Sequence, residues 1–227
     1  MKQKPNLKDI LVENKGENMK KKLILMGPPG SGKGTISEII INKFNLPHIS
    51  TGNALRVIAE RKDEFGMKVK KIMDEGALLS DEIVDEIIKD AVSKNLEKGF
   101  ILDGYPRNIT QAEKLISWFE IDEVIVVDIS DEEIIERLQG RRTCPKCGAS
   151  YHIVNIKPKV EGICDVCGSE LVRRSDEDKI KGRLEIYHKE TEPIIEFLKE
   201  KQIKIKKVPG NFNIDTEKDM IANIVEN

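Results

Sequence analysis

The stretch from Lys22 to Thr35, KLILMGPPGSGKGT, decides the fold. A short aliphatic strand runs into a glycine-rich turn, and Ile36–Phe44 then has a helical pattern. In this setting, glycines let backbone N–H groups turn toward phosphate oxygens, the helix N-terminus adds partial positive charge, and Lys33 supplies a cation. The stretch therefore predicts a phosphate-binding loop. It departs from the general motif in that Gly34 follows Lys33 and the hydroxyl arrives at Thr35.

Working outward from this loop, short aliphatic runs alternate with helical patterns along the chain. Runs that are apolar at nearly every position, such as Val124–Val127, are typical of strands buried on both faces. The pattern predicts an α/β, doubly wound, three-layer fold with a five-stranded parallel sheet. The predicted strands are Lys22–Met26, Pro47–Thr51, Phe100–Asp103, Glu123–Ile129 and Ile203–Val208.

Helix starts are marked by polar residues at three places. Thr110–Glu113 and Ser130–Glu133 have the spacing of capping boxes, and Ser80 precedes two acidic residues. Between Arg141 and Asp178 the periodicity fails, and glycine, proline and cysteine cluster. This segment is predicted to be a small inserted module.

Composition excludes several other classes of protein. The 227 residues favour one core with insertions, and 39% hydrophobic content is too high for a disordered chain. A formal charge of -2 gives no overall basic field for nucleic acid or an anionic membrane. Residues 1–18 contain one short apolar cluster, Ile10–Val12, which is too short for a secretion signal. We expect a flexible N-terminal extension, a cytoplasmic location and no membrane span.

All four cysteines fall in two Cys-x-x-Cys pairs, Cys144 with Cys147 and Cys164 with Cys167, separated by 16 residues. This spacing predicts a tetrahedral thiolate site for a structural Zn²⁺, because four protein ligands leave no open position. A glycine follows each pair, where positive φ lets backbone N–H groups turn toward the sulfurs. An iron–sulfur or other metal site, a redox dithiol pair and a nucleic-acid-binding zinc ribbon remain alternatives.

Several further motifs follow the phosphate loop in a fixed order. With the loop, they are Gly27–Thr35, Ser50–Arg56, Gly99–Arg107, Gln111, Gly140–Arg142 and Arg183–His188. Together with the four cysteines, they resemble the motifs of the adenylate kinases, in the long form whose lid carries a four-cysteine zinc site. The resemblance extends from about Lys20 to the C-terminus and depends on the order and spacing of the motifs.

This resemblance implies a core with two mobile inserts and the reversible transfer of a phosphoryl group from MgATP to AMP. The implied core segments are 19–49, 80–140 and 179–227, with a helical nucleoside-monophosphate insert at 50–79 and a zinc-ribbon-like lid at 141–178. The implied partners are ATP and AMP, with no nucleic acid and no membrane, and the chain is expected to be a monomer. Mg²⁺ would accompany ATP.

The resemblance also implies site residues. Those expected to bind ATP are Gly30, Ser31, Gly32, Lys33, Gly34, Thr35, Arg137, Arg141, Ser150, Tyr151, Gly210 and Phe212. Those expected to bind AMP are Thr51, Arg56, Ala77, Leu78, Leu79, Gly104, Tyr105, Pro106, Arg107, Gln111, Arg174 and Arg183. Those expected to be catalytic are Lys33, Asp103, Arg107, Arg137, Arg141, Arg174 and Arg183.

The resemblance also implies roles for particular side chains. Gln111 would read the adenine edge through its amide, and Asp103 would orient hydrated Mg²⁺. Direct phosphoryl transfer needs positioning and charge neutralisation rather than a protein nucleophile, which fits the lysine and arginines. His48, His152 and His188 are expected to be structural.

The sequence departs from the family pattern at two places. Asn53 stands where the pattern usually has Asp, and the segment from Arg174 to Arg183 is shorter than usual, which leaves Arg173 as an alternative to Arg174. Two other functions also stay open. One is UMP or CMP as acceptor, and the other is a phosphate-loop ATPase with a nucleic-acid-binding ribbon.

Overall fold

The computed structural model of the chain describes residues 20–74, 79–154, 156–173 and 179–226. Its α-helices are α1 (Lys33–Phe44), α2 (Thr51–Ala59), α3 (Glu64–Asp74), α4 (Asp81–Ser93), α5 (Ile109–Trp118), α6 (Asp131–Gly140), α7 (Ile180–Ile186), α8 (Pro193–Glu200) and α9 (Ile214–Glu226). A π-helical turn, Tyr187–Thr191, joins α7 to α8. Its strands are β1 (Lys22–Met26), β2 (His48–Ser50), β3 (Phe100–Asp103), β4 (Glu123–Asp128), β5 (Arg141–Thr143), β6 (Ser150–His152) and β7 (Lys204–Pro209).

Five of these strands form one parallel sheet in the order β2-β3-β1-β4-β7. The predicted fold class is therefore confirmed, and each predicted strand starts and ends within one residue of the observed one. β1 lies at the centre, with Leu25 opposite Asp103 of β3 and Met26 opposite Val126 of β4. The loop that leaves β1 consequently emerges between the two neighbouring strands.

Both faces of the sheet are covered by helices. Leu23 and Leu25 face one layer, where they pack with residues of α1 and α9, and Ile24 and Met26 face the other, with α4, α5 and α8. All four side chains are at most 3% exposed. This burial on both sides explains why the strands are apolar at successive positions instead of alternating.

Helix caps confirm two of the three predicted starts. Ser130 forms a full capping box with Glu133, and Ser80 is the N-cap of α4, although its side chain makes no capping bond. The capping box predicted at Thr110 is wrong. The N-cap of α5 is Asn108, whose Oδ1 accepts from the N–H of Gln111, because the helix begins at Ile109, two residues before the start that a cap at Thr110 would give.

The inserted module folds separately from the main sheet. β5 and β6 pair antiparallel, and a further bridge joins Thr143 to Val172 near the other end of the module. Within the part of the chain that the structure describes, no helix combines the length and the apolar character that crossing a bilayer requires.

A buried carboxylate holds the edge of the sheet opposite the phosphate loop. Glu123, at the start of β4, has a side chain that is 6% exposed and accepts hydrogen bonds from Lys206 at 2.7 Å and Lys21 at 3.1 Å. Lys21 also donates to the carbonyl of Val225 near the end of α9. Burial raises the pKa of Glu123, but the lysine hydrogen bonds outweigh it and leave the pKa below its ordinary value of 4.5.

We expect Glu123→Ala to lower the free energy of unfolding by about 2–4 kcal/mol, because it leaves two lysine ammonium groups without their buried acceptor. Since folding lowers the pKa, this stabilisation is complete above pH 4.5 and is lost as pH falls through the folded-state pKa. Urea unfolding at pH 7 and across the acid range measures both effects. Asp90→Asn removes the same charge from an exposed pair with Lys94 and should change stability by less than about 0.5 kcal/mol. Equal losses in the two variants would contradict the assignment.

Candidate functional site

The phosphate loop connects β1 to α1 and needs glycine at its turning points. Gly30 and Gly32 have φ of 86° and 99°, in the left-handed region that other residues rarely adopt. Gly32 is the N-cap of α1, and its carbonyl accepts from the N–H of Ile36. The helix therefore begins at Lys33, three residues before the predicted start at Ile36, and directs its positive end at the loop.

Lys33 folds back across this loop. Its Nζ donates to the carbonyls of Gly27 at 2.7 Å and Pro28 at 2.8 Å. The pKa of Lys33 is lowered to about 8, chiefly because burial removes water from the ammonium group, while Asp103 raises it. Three arginines that are distant in sequence also contribute to the lowering: Arg107, Arg183 and Arg141. The structure thus brings together the lysine, the aspartate and three of the arginines that the sequence predicted for this site.

Asp103 ends β3, in register with Leu25 of β1 and Ser50 of β2. Its side chain is 17% exposed, and Oδ2 lies 3.6 Å from Nε2 of His48. The hydroxyl of Thr51 donates to the Asp103 carbonyl at 3.5 Å. A carboxylate at this edge can serve a hard divalent cation through oxygen ligands or water.

Arg107 lies in the turn that follows β3. Its Nε donates to the carbonyl of Gly104 at 2.8 Å, and Gly104 has φ of 83°. Burial lowers the pKa of Arg107, and Arg183 lowers it further, while Asp103 raises it. A guanidinium held by its own turn and repelled by another arginine is well placed to receive an anion.

Gln111 lies beneath this turn and is 3% exposed. Its Oε1 accepts from the backbone N–H of Arg107 at 2.8 Å, and its Nε2 donates to Oδ1 of Asp81 at 2.7 Å. Asp81 was not predicted as a site residue, since in the sequence it looks like a first-turn helix acid 30 positions away.

A second unpredicted acid, Asp85, lies beside it and binds the predicted residue Tyr105. Tyr105 is buried, and its hydroxyl donates to Asp85 at 2.6 Å, while Lys114 donates to the other carboxylate oxygen at 2.5 Å. Burial raises the pKa of Tyr105 well above its usual range, and Asp85 raises it further. A buried acid inside a helix was the signal that sequence reasoning overlooked.

Arg137 and Gly210 meet at the other side of the phosphate loop. The Nη1 of Arg137 donates to the Gly210 carbonyl at 2.6 Å, and burial lowers the pKa of Arg137. A Cβ at Gly32 would lie 3.6 Å from this Nη1, and one at Gly210 would lie 3.0 Å from the Ser31 carbonyl. These predicted ATP residues therefore border the loop. Phe212 packs against the adjacent core instead.

Two lid residues predicted to bind ATP, Ser150 and Tyr151, differ in their surroundings. The hydroxyl of Ser150 accepts from Arg141 at 3.4 Å. Tyr151 is 6% exposed and packs inside the lid, where its hydroxyl accepts from the N–H of Asp165 at 2.8 Å and contacts the Cys164 sulfur at 3.6 Å. Its side chain serves the cysteine module, so any contact with ATP would fall to its backbone.

Some predicted positions are not covered. Ala77, Leu78 and Arg174 lie outside the described residues. Arg56 and Asn53 belong to α2 by their backbone, but their side chains are outside the described part. Of the remaining AMP-site predictions, Leu79 follows α3 and Pro106 precedes α5.

The four cysteines form one cluster, with all their sulfurs within 4.8 Å of one another. Cys144 and Cys167 approach to 3.4 Å, and Cys147 and Cys164 to 3.5 Å. Four sulfurs around zinc at about 2.3 Å would be separated by about 3.8 Å, so the donor set fits a tetrahedral Zn²⁺.

The backbone around the cysteines supports the same reading. The glycine after each pair has the predicted positive φ, 76° at Gly148 and 70° at Gly168. Their N–H groups donate to the carbonyls of Cys144 and Cys164, so the two turns are built alike.

Comparison with known proteins gives a consistent result. The model of the adenylate kinase family matches residues 25–203. An adenylate kinase of Caldicellulosiruptor bescii is 46% identical over 208 residues, which cover 88% of this chain and 97% of that protein. One from Clostridium acetobutylicum is 45% identical over 212 residues, or 90% and 98% of the two chains. One from Acetivibrio thermocellus is 46% identical over 209 residues, or 88% and 96%.

The lowered pKa of Lys33 predicts proton uptake when ATP binds. Near pH 8 about half of the amines are neutral, and phosphate oxygens favour the charged form, so affinity should fall as pH rises through about 8. Isothermal titration in buffers of different ionisation enthalpy measures the proton count directly. Lys33→Met should bind more weakly and without this uptake. An affinity that stays constant between pH 7 and pH 9 would contradict the role given to Lys33.

Proposed function

The chain belongs to the adenylate kinase family, and we propose that it transfers the terminal phosphoryl group of MgATP to AMP through the residues described above. The observation that carries this proposal is the convergence of Asp103, Arg107, Arg141 and Arg183 on Lys33 at the positive end of α1. Such a set of cations matches two substrates that together bring several phosphate groups to one place.

On the ATP side, the loop N–H groups and the N-terminus of α1 would hold the phosphates. Lys33 exchanges its two carbonyl partners, on Gly27 and Pro28, for phosphate oxygens. Arg137 would reach the phosphates from α6, where its bond to Gly210 holds it beside the loop.

On the AMP side, Arg107 would grip the monophosphate with its guanidinium, whose Nε is already fixed on Gly104. Thr51 lies against the same turn, since its hydroxyl donates to the carbonyl of Asp103. Arg56 would provide a second guanidinium and Gln111 the contact to the base.

Between the substrates, Arg107, Arg141 and Arg183 neutralise charge on the transferring group, and no residue forms a covalent intermediate. Arg174 is proposed to assist from the lid. Asp103 would hold hydrated Mg²⁺, which supplies charge neutralisation between the phosphates. Every group named here belongs to one chain, so the proposal needs neither a second subunit nor nucleic acid.

Segments 50–79 and 141–178 are proposed to close over the substrates and exclude water, which prevents wasteful hydrolysis. His152 lies where the lid leaves the core. Its Nε2 is 3.2 Å from the Arg137 carbonyl, and its Nδ1 accepts from the N–H of Val154 at 3.1 Å. These partners require a neutral ring that carries its proton on Nε2, and burial lowers the pKa of His152 accordingly. We propose that this contact keeps the base of the lid attached to the end of α6 when the lid closes.

Acceptor specificity tests the proposed reaction. With MgATP, we expect rapid ADP formation with AMP and little with UMP, CMP, GMP or no acceptor, measured by chromatography. Arg107→Ala should lower kcat/KM by at least about 100-fold, since it removes a charge that the transition state needs. Arg61→Ala changes an exposed arginine paired with Asp63 and should leave the rate unaltered.

The other outcomes decide between the remaining functions. Preference for a pyrimidine would make the chain a UMP or CMP kinase. ADP formation that needs no acceptor would favour the ATPase reading.

Zinc is proposed as the lid metal, held by Cys144, Cys147, Cys164 and Cys167. We expect one Zn²⁺ per chain by mass spectrometry, and a lower melting temperature after chelation, because so small a module depends on its metal for folding. Cys164→Ser should lose the metal. Val166→Ser changes an exposed residue of the same turn and should retain it. Stoichiometric iron, or four freely reactive thiols in the native protein, would refute the zinc assignment.

A further inference from the structure

The side-chain amide of Gln111 is held from both ends by groups that cannot exchange roles. The backbone N–H of Arg107 can only donate, and it faces Oε1 at 2.8 Å. The carboxylate of Asp81, when ionised, can only accept, and it faces Nε2 at 2.7 Å. Rotation of the amide by 180° would oppose N–H to N–H on one side and oxygen to oxygen on the other.

Asp81 is itself fixed by a second amide. Its Oδ2 accepts from Nδ2 of Asn108 at 3.0 Å, and Oδ1 of Asn108 caps the N–H of Gln111 at 2.8 Å. The start of α4 is thereby tied to the start of α5 through three polar side chains. Gln111 is 3% exposed, so a wrongly oriented amide would find no water to replace its lost bonds.

This orientation matters for the chemistry of base recognition. In the held state, Gln111 keeps one Oε1 lone pair and one Nε2 hydrogen for a ligand. Adenine offers an N6 hydrogen and an N1 lone pair, which match that set. Hypoxanthine and guanine offer an O6 lone pair and an N1 hydrogen, which match only the rotated amide.

We propose that Asp81 is the specificity-determining positioning residue of the acceptor site, because it locks the Gln111 amide in the orientation that accepts adenine and rejects 6-oxopurines. The inference rests on the proposed function, in which Gln111 contacts the acceptor base. It adds a residue that does not itself touch the substrate.

The test compares AMP with IMP, which differ only at the two positions that the amide would read. For wild type, Asp81→Asn and Asp81→Ala, kcat/KM is measured for both acceptors with MgATP. Asparagine has the shape of aspartate but can donate, so it removes the penalty on one side of the rotated amide. We expect the ratio of AMP to IMP to fall by about tenfold or more in Asp81→Asn, with the IMP value rising relative to AMP.

Two controls separate selectivity from general damage. Glu82→Gln removes an exposed charge from the same helical turn and should keep the wild-type ratio. Gln111→Leu removes the amide itself and should bring the two acceptors close together. Thermal melts show whether each variant is folded. If Asp81→Asn does not fold, the ratio of AMP to IMP in Asp81→Ala tests the proposal in its place.

The outcomes are distinct. A ratio that stays at the wild-type value while both kcat/KM values fall together would overturn the proposal and leave Asp81 as a structural residue. A Gln111→Leu variant that still discriminates would also overturn it. Failure of the wild type to phosphorylate AMP at all would instead refute the proposed function.

Discussion

Repulsion among like charges is the constraint on which the site depends. Lys33, Arg107 and Arg137 all have pKa values lowered by burial, and Lys33 and Arg107 are lowered further by neighbouring arginines. These cations donate hydrogen bonds to the carbonyl groups of Gly27, Pro28, Gly104 and Gly210. The folding free energy contributed by the rest of the structure must offset this burial and repulsion of positive charge.

The sheet contributes much of this folding free energy and also sets the positions of the site residues. Its central strands are buried on both faces, and β3, β1 and β4 run parallel, so their carboxyl ends meet at one edge. Asp103 and the phosphate loop are adjacent because Leu25 and Asp103 are in register. The helices then bring Arg137 and Arg183 to the same edge from distant parts of the chain. The same sheet topology therefore buries the core residues and brings the site residues together at one edge.

Sequence reasoning succeeded where a local pattern has a single physical meaning. Apolar runs located the strands, the glycines after the cysteine pairs located two positive φ angles, and the cysteine spacing located a sulfur cluster. It failed at Thr110, where the capping pattern competes with Asn108 two residues earlier. It also missed Asp81 and Asp85, because an acid in a helix looks solvated until the fold shows which neighbours cover it. Long-range partners of polar side chains are set by tertiary packing, which no local pattern contains.

The pairing of Thr143 with Val172 closes the lid at its base, since each residue donates a backbone N–H to the other's carbonyl. The strand that leaves α6 and the segment that reaches Val172 therefore lie side by side at the base of the module. The cysteine cluster packs with Tyr151 and Leu171 of the module itself, while His152 contacts the core through the Arg137 carbonyl. An inserted module of this kind can change in length or sequence without disturbing the sheet, provided that its two ends keep the same spacing.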